Sequence, residues 1–168
     1  DYTEAVDIKL SFTDAARNAD LISRFLPSDS SVEVLLTVAR GMDATSREQR
    51  AHLITGPYGV GKSLVGLIIA SYFARPELPE LEELLRAIGQ DWPREVQELR
   101  RLRSAMGGRY LPVLIQGNEA DTVNEGLLSG LKRALVDNGL ADIVPKIAFE
   151  IAVERLHEWR DKYPEIYD

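Results

Sequence analysis

Ala51-His52-Leu53-Ile54-Thr55-Gly56-Pro57-Tyr58-Gly59-Val60-Gly61-Lys62-Ser63 is a short apolar run that ends on a glycine-rich turn. Its last eight residues satisfy the pattern G-x-x-x-x-G-K-[ST] in full. Each fixed position has a physical reason. Gly56 lets the chain leave an extended run through a tight turn. Gly59 and Gly61 lack Cβ atoms, so their backbone N–H groups can approach a phosphate and adopt positive φ. Successive N–H groups then form a concave anion nest. The nest opens on a helix beginning near Lys62, whose N-terminal partial charge favours the same anion. Lys62 adds a point charge for β- and γ-phosphates, and the Ser63 hydroxyl suits Mg²⁺, a cation of oxygen ligands.

Working outward, Lys62 to Arg75 reads as a buried helix, because Leu64, Val65, Leu67, Ile68, Ile69, Tyr72 and Phe73 leave little polar face. Upstream, Val6, Ile8, Leu10 and Phe12 alternate with polar residues, as in a half-buried strand or an extended arm. Thr13 or Asp14 is expected to cap a helix through Phe25, and Ser30 or Ser31 a second over Val32–Gly41, closed by Gly41. Downstream, Pro79–Ile88 and Pro93–Met106 read as surface helices, each with proline in its first turn. Tyr110–Gln116 reads as a second central strand with Pro112 near its start. Thr122–Asn138, ending at Gly139, and Pro145–Tyr163 read as further helices, the latter with Ala152, Leu156, Trp159 and Tyr163 on one stripe. Strands joined by helical crossovers imply an α/β fold with a parallel sheet.

The segment from His52 to Ser63 resembles the Walker A region of P-loop ATPases of the AAA-like (additional-strand) branch. Its Gly-Pro-Tyr-Gly form after Ile-Thr is similar to that of large bacterial ATPases of phage-defence systems, of the BREX type or phosphorothioate-dependent restriction. The resemblance is tight over about a dozen residues; beyond them it lies in element order alone. It implies a P-loop NTPase three-layer sandwich, with residues 1–50 as a strand and helical lead-in and 51–168 as the nucleotide-binding core. It implies ATP and Mg²⁺ as cofactors, with Gly56, Pro57, Tyr58, Gly59, Val60, Gly61, Lys62, Ser63 and Leu64 contacting the nucleotide. Lys62 is the expected catalytic residue and Ser63 the metal ligand.

Such an ATPase also needs a later apolar strand ending in Asp-Glu. Tyr110–Gln116 leads instead into Gly117-Asn118-Glu119-Ala120-Asp121. Glu119 and Asp121 have two readings, as catalytic carboxylates or as the acidic start of the next helix. By order the acidic strand is expected beyond Asp168. The chain also opens on Asp1 rather than Met, so it reads as a truncated piece of a longer ATPase. The expected partners are the nucleotide, other subunits or the rest of its own chain, and DNA through a parent complex.

Composition bounds these readings. The chain has 168 residues, 45% hydrophobic and 28% charged, which suits one domain with a real core and excludes a disordered chain. No apolar run reaches the roughly 18 residues of a membrane span, and no signal peptide opens the chain, so a cytoplasmic location is expected. There is no cysteine, which removes disulfides and thiolate metal sites. A net charge of -7 argues against a general nucleic-acid coat.

Other residues hold chemistry in reserve. Arg94, Arg100, Arg101, Arg103 and Arg109 form a basic cluster, readable as DNA contact, arginine finger or solvated helix face. The AAA-like resemblance implies that the segment before Walker A helps hold the adenine; here that is Arg17 to Ser31, with Arg24 and Phe25 attractive by type, against a core role for Phe25. His52 and His157 have no metal-ligand partner at useful spacing. Besides the ATPase, a nucleoside or small-molecule kinase could use Arg100 and Arg103 to clamp phosphate, and a non-catalytic nucleotide-binding assembly module needs only binding. A GTPase lacks its Asn-Lys-x-Asp signature here.

Overall fold

Helices account for all the regular structure of the computed structural model, which describes residues 6–43, 48–108, 110–117, 120–144 and 148–163. Eight α-helices and no β-strand occur among the described residues. The chain divides into two compact units, Asp1–Leu114 and Ile115–Asp168.

The first unit holds α1 (Ile8–Thr13), α2 (Ala15–Ser23), α3 (Asp29–Asp43), α4 (Lys62–Ala74), α5 (Pro79–Asp91) and α6 (Pro93–Met106). A short 3-10 turn, Glu48–Arg50, follows α3. Local chemistry sets the starts. Asp14 Oδ1 accepts from Arg17 N at 3.0 Å and caps α2, as expected. Ser28 precedes α3, and its amide donates to Ser31 Oγ at 2.8 Å, so α3 begins three residues before the expected Val32. Pro79 and Pro93 sit in the first turns of α5 and α6, where a missing N–H costs no intrahelical bond.

These helices share one core. Ile22, Leu35, Leu36, Ile68, Tyr72, Leu84, Ile88, Leu99 and Leu102 are all buried in it. α4 is apolar nearly all round and packs against α1, α2 and α3, which is the burial expected of it. Polar ties fix the register. Asn18 Nδ2 donates to Ser71 Oγ at 3.0 Å between α2 and α4, both residues fully buried. Tyr72 donates its hydroxyl to the Leu99 carbonyl at 2.9 Å, joining α4 to α6. Arg40 of α3 grips Glu98 of α6 with two bonds of 2.8 Å.

The α/β parallel-sheet sandwich is therefore overturned, and with it the assignment to the P-loop ATPases, whose fold requires a sheet. The three runs expected as strands show why. Val6–Phe12 becomes helical because alternating positions four apart also share a helix face. Ile8 packs on Gly66 of α4, and Phe12 lies under the Arg75 guanidinium at 4.1 Å. Asp7 caps the turn by accepting from Leu10 N at 3.0 Å. His52–Thr55 takes no regular secondary structure and finds no strand beside it among the described residues. Tyr110 is anchored to the end of α4 instead of to a ladder: its N–H donates to the Phe73 carbonyl at 3.2 Å, and its ring meets Phe73 edge-on. β-propensity without a partner edge does not make a sheet.

The second unit contains α7 (Val123–Asp137), a 3-10 turn Ala141–Ile143 and α8 (Ala148–Lys162). Thr122 caps α7 by accepting from Glu125 N at 3.2 Å while donating to Glu125 Oε2 at 3.1 Å. Gly139, at φ 73°, closes it: Leu140 N donates to the Leu135 carbonyl and Gly139 N to the Val136 carbonyl. Both ends were expected from sequence. Leu156, Trp159 and Tyr163 of the expected stripe lie exposed on α8; Pro145, its expected start, falls outside the described residues. No helix among the described residues is long and apolar enough to cross a membrane.

Candidate functional site

The glycine-rich loop is positioned from α3. Gly41 was expected to end that helix, but α3 runs on to Asp43 with Gly41 buried inside it. A Cβ at Gly41 would overlap the Gln49 carbonyl and the His52 ring. The missing side chain thus lets the returning chain lie against α3, and His52–Thr55 runs beside that helix toward the loop.

Gly59 and Gly61 then take left-handed backbone, with φ of 84° and 82°. A Cβ at either would meet nothing within 4 Å, so conformation and not crowding demands glycine here. Gly61 is the N-cap of α4, and no side chain caps the helix. The first bond of α4 runs from Val65 N to the Gly61 carbonyl. The N–H groups of Gly61, Lys62, Ser63 and Leu64 consequently have no acceptor within the helix.

Lys62 folds back over the loop. Its ammonium donates to the Gly56 carbonyl at 2.9 Å and to the Pro57 carbonyl at 2.5 Å. An ammonium has three N–H donors, so one remains for a ligand. Lys62, Ser63 and Leu64 are half-buried, whereas Gly56 to Gly61 are exposed and Tyr58 is 93% exposed. The loop thus brings together every residue expected at the site: Gly56, Pro57, Tyr58, Gly59, Val60, Gly61, Lys62, Ser63 and Leu64. Positive charge and uncapped amides lie together at this spot.

A groove of about 410 Å³ adjoins this loop. Glu33, Val34, Thr37 and Val38 of α3 form one wall, and 51–55 forms the other. Comparison of the chain with protein-family models, with curated proteins and with solved structures finds no match. The functional reading therefore rests on the geometry of these residues. The phage-defence role had no support besides the resemblance.

The remaining candidates are dispersed. Arg100 pairs with Glu82 at 2.5 Å, and Arg103 stacks over the Tyr72 ring at 4.7 Å. Arg101 is exposed beside Glu98, and Arg109 lies outside the described residues. Arg24 pairs with Asp20 at 2.6 Å, while Phe25 packs against the core. Asp121 is exposed just before α7, in the second unit, and Glu119 lies outside the described residues. No cluster of three His, Asp or Glu side chains that could hold a metal occurs among the described residues. Ser63 would hold Mg²⁺ only with oxygens from phosphate and water.

Electrostatic perturbation falls away from the loop. The Arg40 hydrogen bonds hold the Glu98 carboxyl below its ordinary range, and Glu98 in turn raises Arg40. Burial pushes the Tyr72 phenol up and the Arg103 guanidinium down. These groups stitch α3, α4 and α6 together. Sequence reasoning missed the groove wall of Glu33, Val34, Thr37 and Val38. Its signal was present: these positions share one edge of a helix whose next turn presents Gly41.

Proposed function

We propose that the loop Gly56–Ser63 binds the polyphosphate of a nucleoside triphosphate, ATP with Mg²⁺. The observation that carries this reading is the Lys62 ammonium, held by the carbonyls of Gly56 and Pro57 over a loop with left-handed glycines at 59 and 61. A lysine fixed this way keeps its charge at the centre of the loop without closing a salt bridge on a carboxylate. Backbone amides of Gly59 to Leu64 supply donors to the phosphate oxygens, and the Lys62 charge serves the β- and γ-phosphates. Mg²⁺ brings further neutralisation of the phosphates, and the Ser63 hydroxyl is its protein ligand. The proposal is one of binding, in a helical setting and not in a sheet.

Titration calorimetry with MgATP tests it. The wild-type chain is expected to bind, and Lys62→Ala to lose about 100-fold or more in affinity, near 2.7 kcal/mol. Equal affinity in Lys62→Ala would place the nucleotide elsewhere or nowhere.

A further inference from the structure

The loop accounts for phosphates and leaves the nucleoside without a seat. We infer that the groove between α3 and His52–Thr55 is the nucleoside subsite of the same ligand. The inference rests on the polyphosphate reading of the loop, which it extends. Three observations support it. First, the groove's volume of about 410 Å³ lies within the range of small-molecule sites. Second, it is continuous with the loop: Thr55 lines the groove and the next residue, Gly56, begins the turn around Lys62. Third, its lining is chemically mixed. Val34, Val38 and Ile54 offer apolar surface to a base, and Glu33 and Thr37 offer polar groups to ribose hydroxyls.

The backbone strengthens the case. Among the described residues, the N–H and C=O groups of His52–Thr55 pair with no other group. Such groups are main-chain donors and acceptors left open to a ligand. The edge of a nucleobase carries the same two kinds of group, so it can pair with unpaired backbone without a dedicated side chain. The ligand class is therefore a nucleoside triphosphate read partly by main chain, with the α3 edge closing over the sugar and base.

The test compares MgATP with magnesium tripolyphosphate, which has the phosphates and no nucleoside. Thr37 is exposed on α3, so Thr37→Trp fills the groove with little effect on folding. Wild-type protein is expected to bind MgATP more tightly than tripolyphosphate. Thr37→Trp should lower MgATP affinity about tenfold or more and leave tripolyphosphate affinity unchanged. A second readout needs no variant: MgATP should shift the amide resonances of His52–Ile54 and the Val38 methyls, and tripolyphosphate should leave them in place. Equal wild-type affinities for the two ligands, an unchanged MgATP affinity in Thr37→Trp, or equal losses for both ligands would overturn the subsite while the loop reading stands. Absence of binding by both ligands to wild-type protein would overturn the loop reading and this inference with it.

Discussion

The buried end of α4 and its exposed head make opposite use of the same helix. At Tyr72, packing is complete: the ring lies among the residues of the core, its hydroxyl meets the Leu99 carbonyl, and Arg103 covers its face. At Gly61, eleven residues earlier, the backbone is left-handed, exposed and without a side-chain cap. One end contributes stability and the other leaves polar groups for a ligand. The difference teaches where to look for function in a small helical unit: at an uncapped helix start that also carries left-handed glycines and a lysine, which the uncapped starts of α5 and α6 lack.

Substitutions should separate these two ends. Leu99→Ala is expected to have the largest effect on stability, about 2–5 kcal/mol by denaturant unfolding, because it opens a cavity beside Tyr72. Its MgATP affinity should stay within about twofold of wild type under native conditions, since nothing at the loop changes. Lys62→Ala inverts the pattern: the affinity loss given above should come with a stability change within about 0.5 kcal/mol. Loss of affinity in Leu99→Ala would break the separation.

Tyr72→Phe is expected to cost less, about 0.5–1.5 kcal/mol, by removing the hydrogen bond that its hydroxyl donates to the Leu99 carbonyl. The smallest effect belongs to the Arg40–Glu98 clamp, which is part-exposed. Glu98 has a depressed native pKa, so its contribution is full above the ordinary carboxylate value. It is lost as pH falls through the native value. Unfolding curves of wild type and Glu98→Gln should therefore converge on acidification and differ most near neutrality. A gap that widened at low pH would contradict the sign of that shift.

The helices other than α1 were legible in sequence, and the lack of a sheet among the described residues was not. Asp14, Pro79, Pro93, Thr122 and Gly139 announce helix ends by side-chain oxygen, fixed φ or absent Cβ, all local causes. Strand pairing is a non-local property. Ala51–Thr55 and Tyr110–Gln116 have strand-like composition, but composition does not supply a neighbouring edge. The alternation over Val6–Phe12 was ambiguous at its length, and the Asp7 cap decided for helix. Gly41 looked like a helix stop because glycine usually plays that part near a periodic run's end; its actual neighbours, Gln49 and His52, are contacts no local pattern reveals. The backbone of the loop was legible: Gly59 and Gly61 take the expected positive φ, and α4 begins at Lys62.

The central claim is that the amides around Lys62 receive the phosphates. Amide nitrogen–proton correlation spectra during titration with MgATP test it residue by residue. The account predicts the largest shifts at Gly59, Gly61, Lys62 and Ser63, with the core amides of α5 and α6 nearly still. Shifts centred on any other part of the chain, or none at saturating nucleotide, would contradict it.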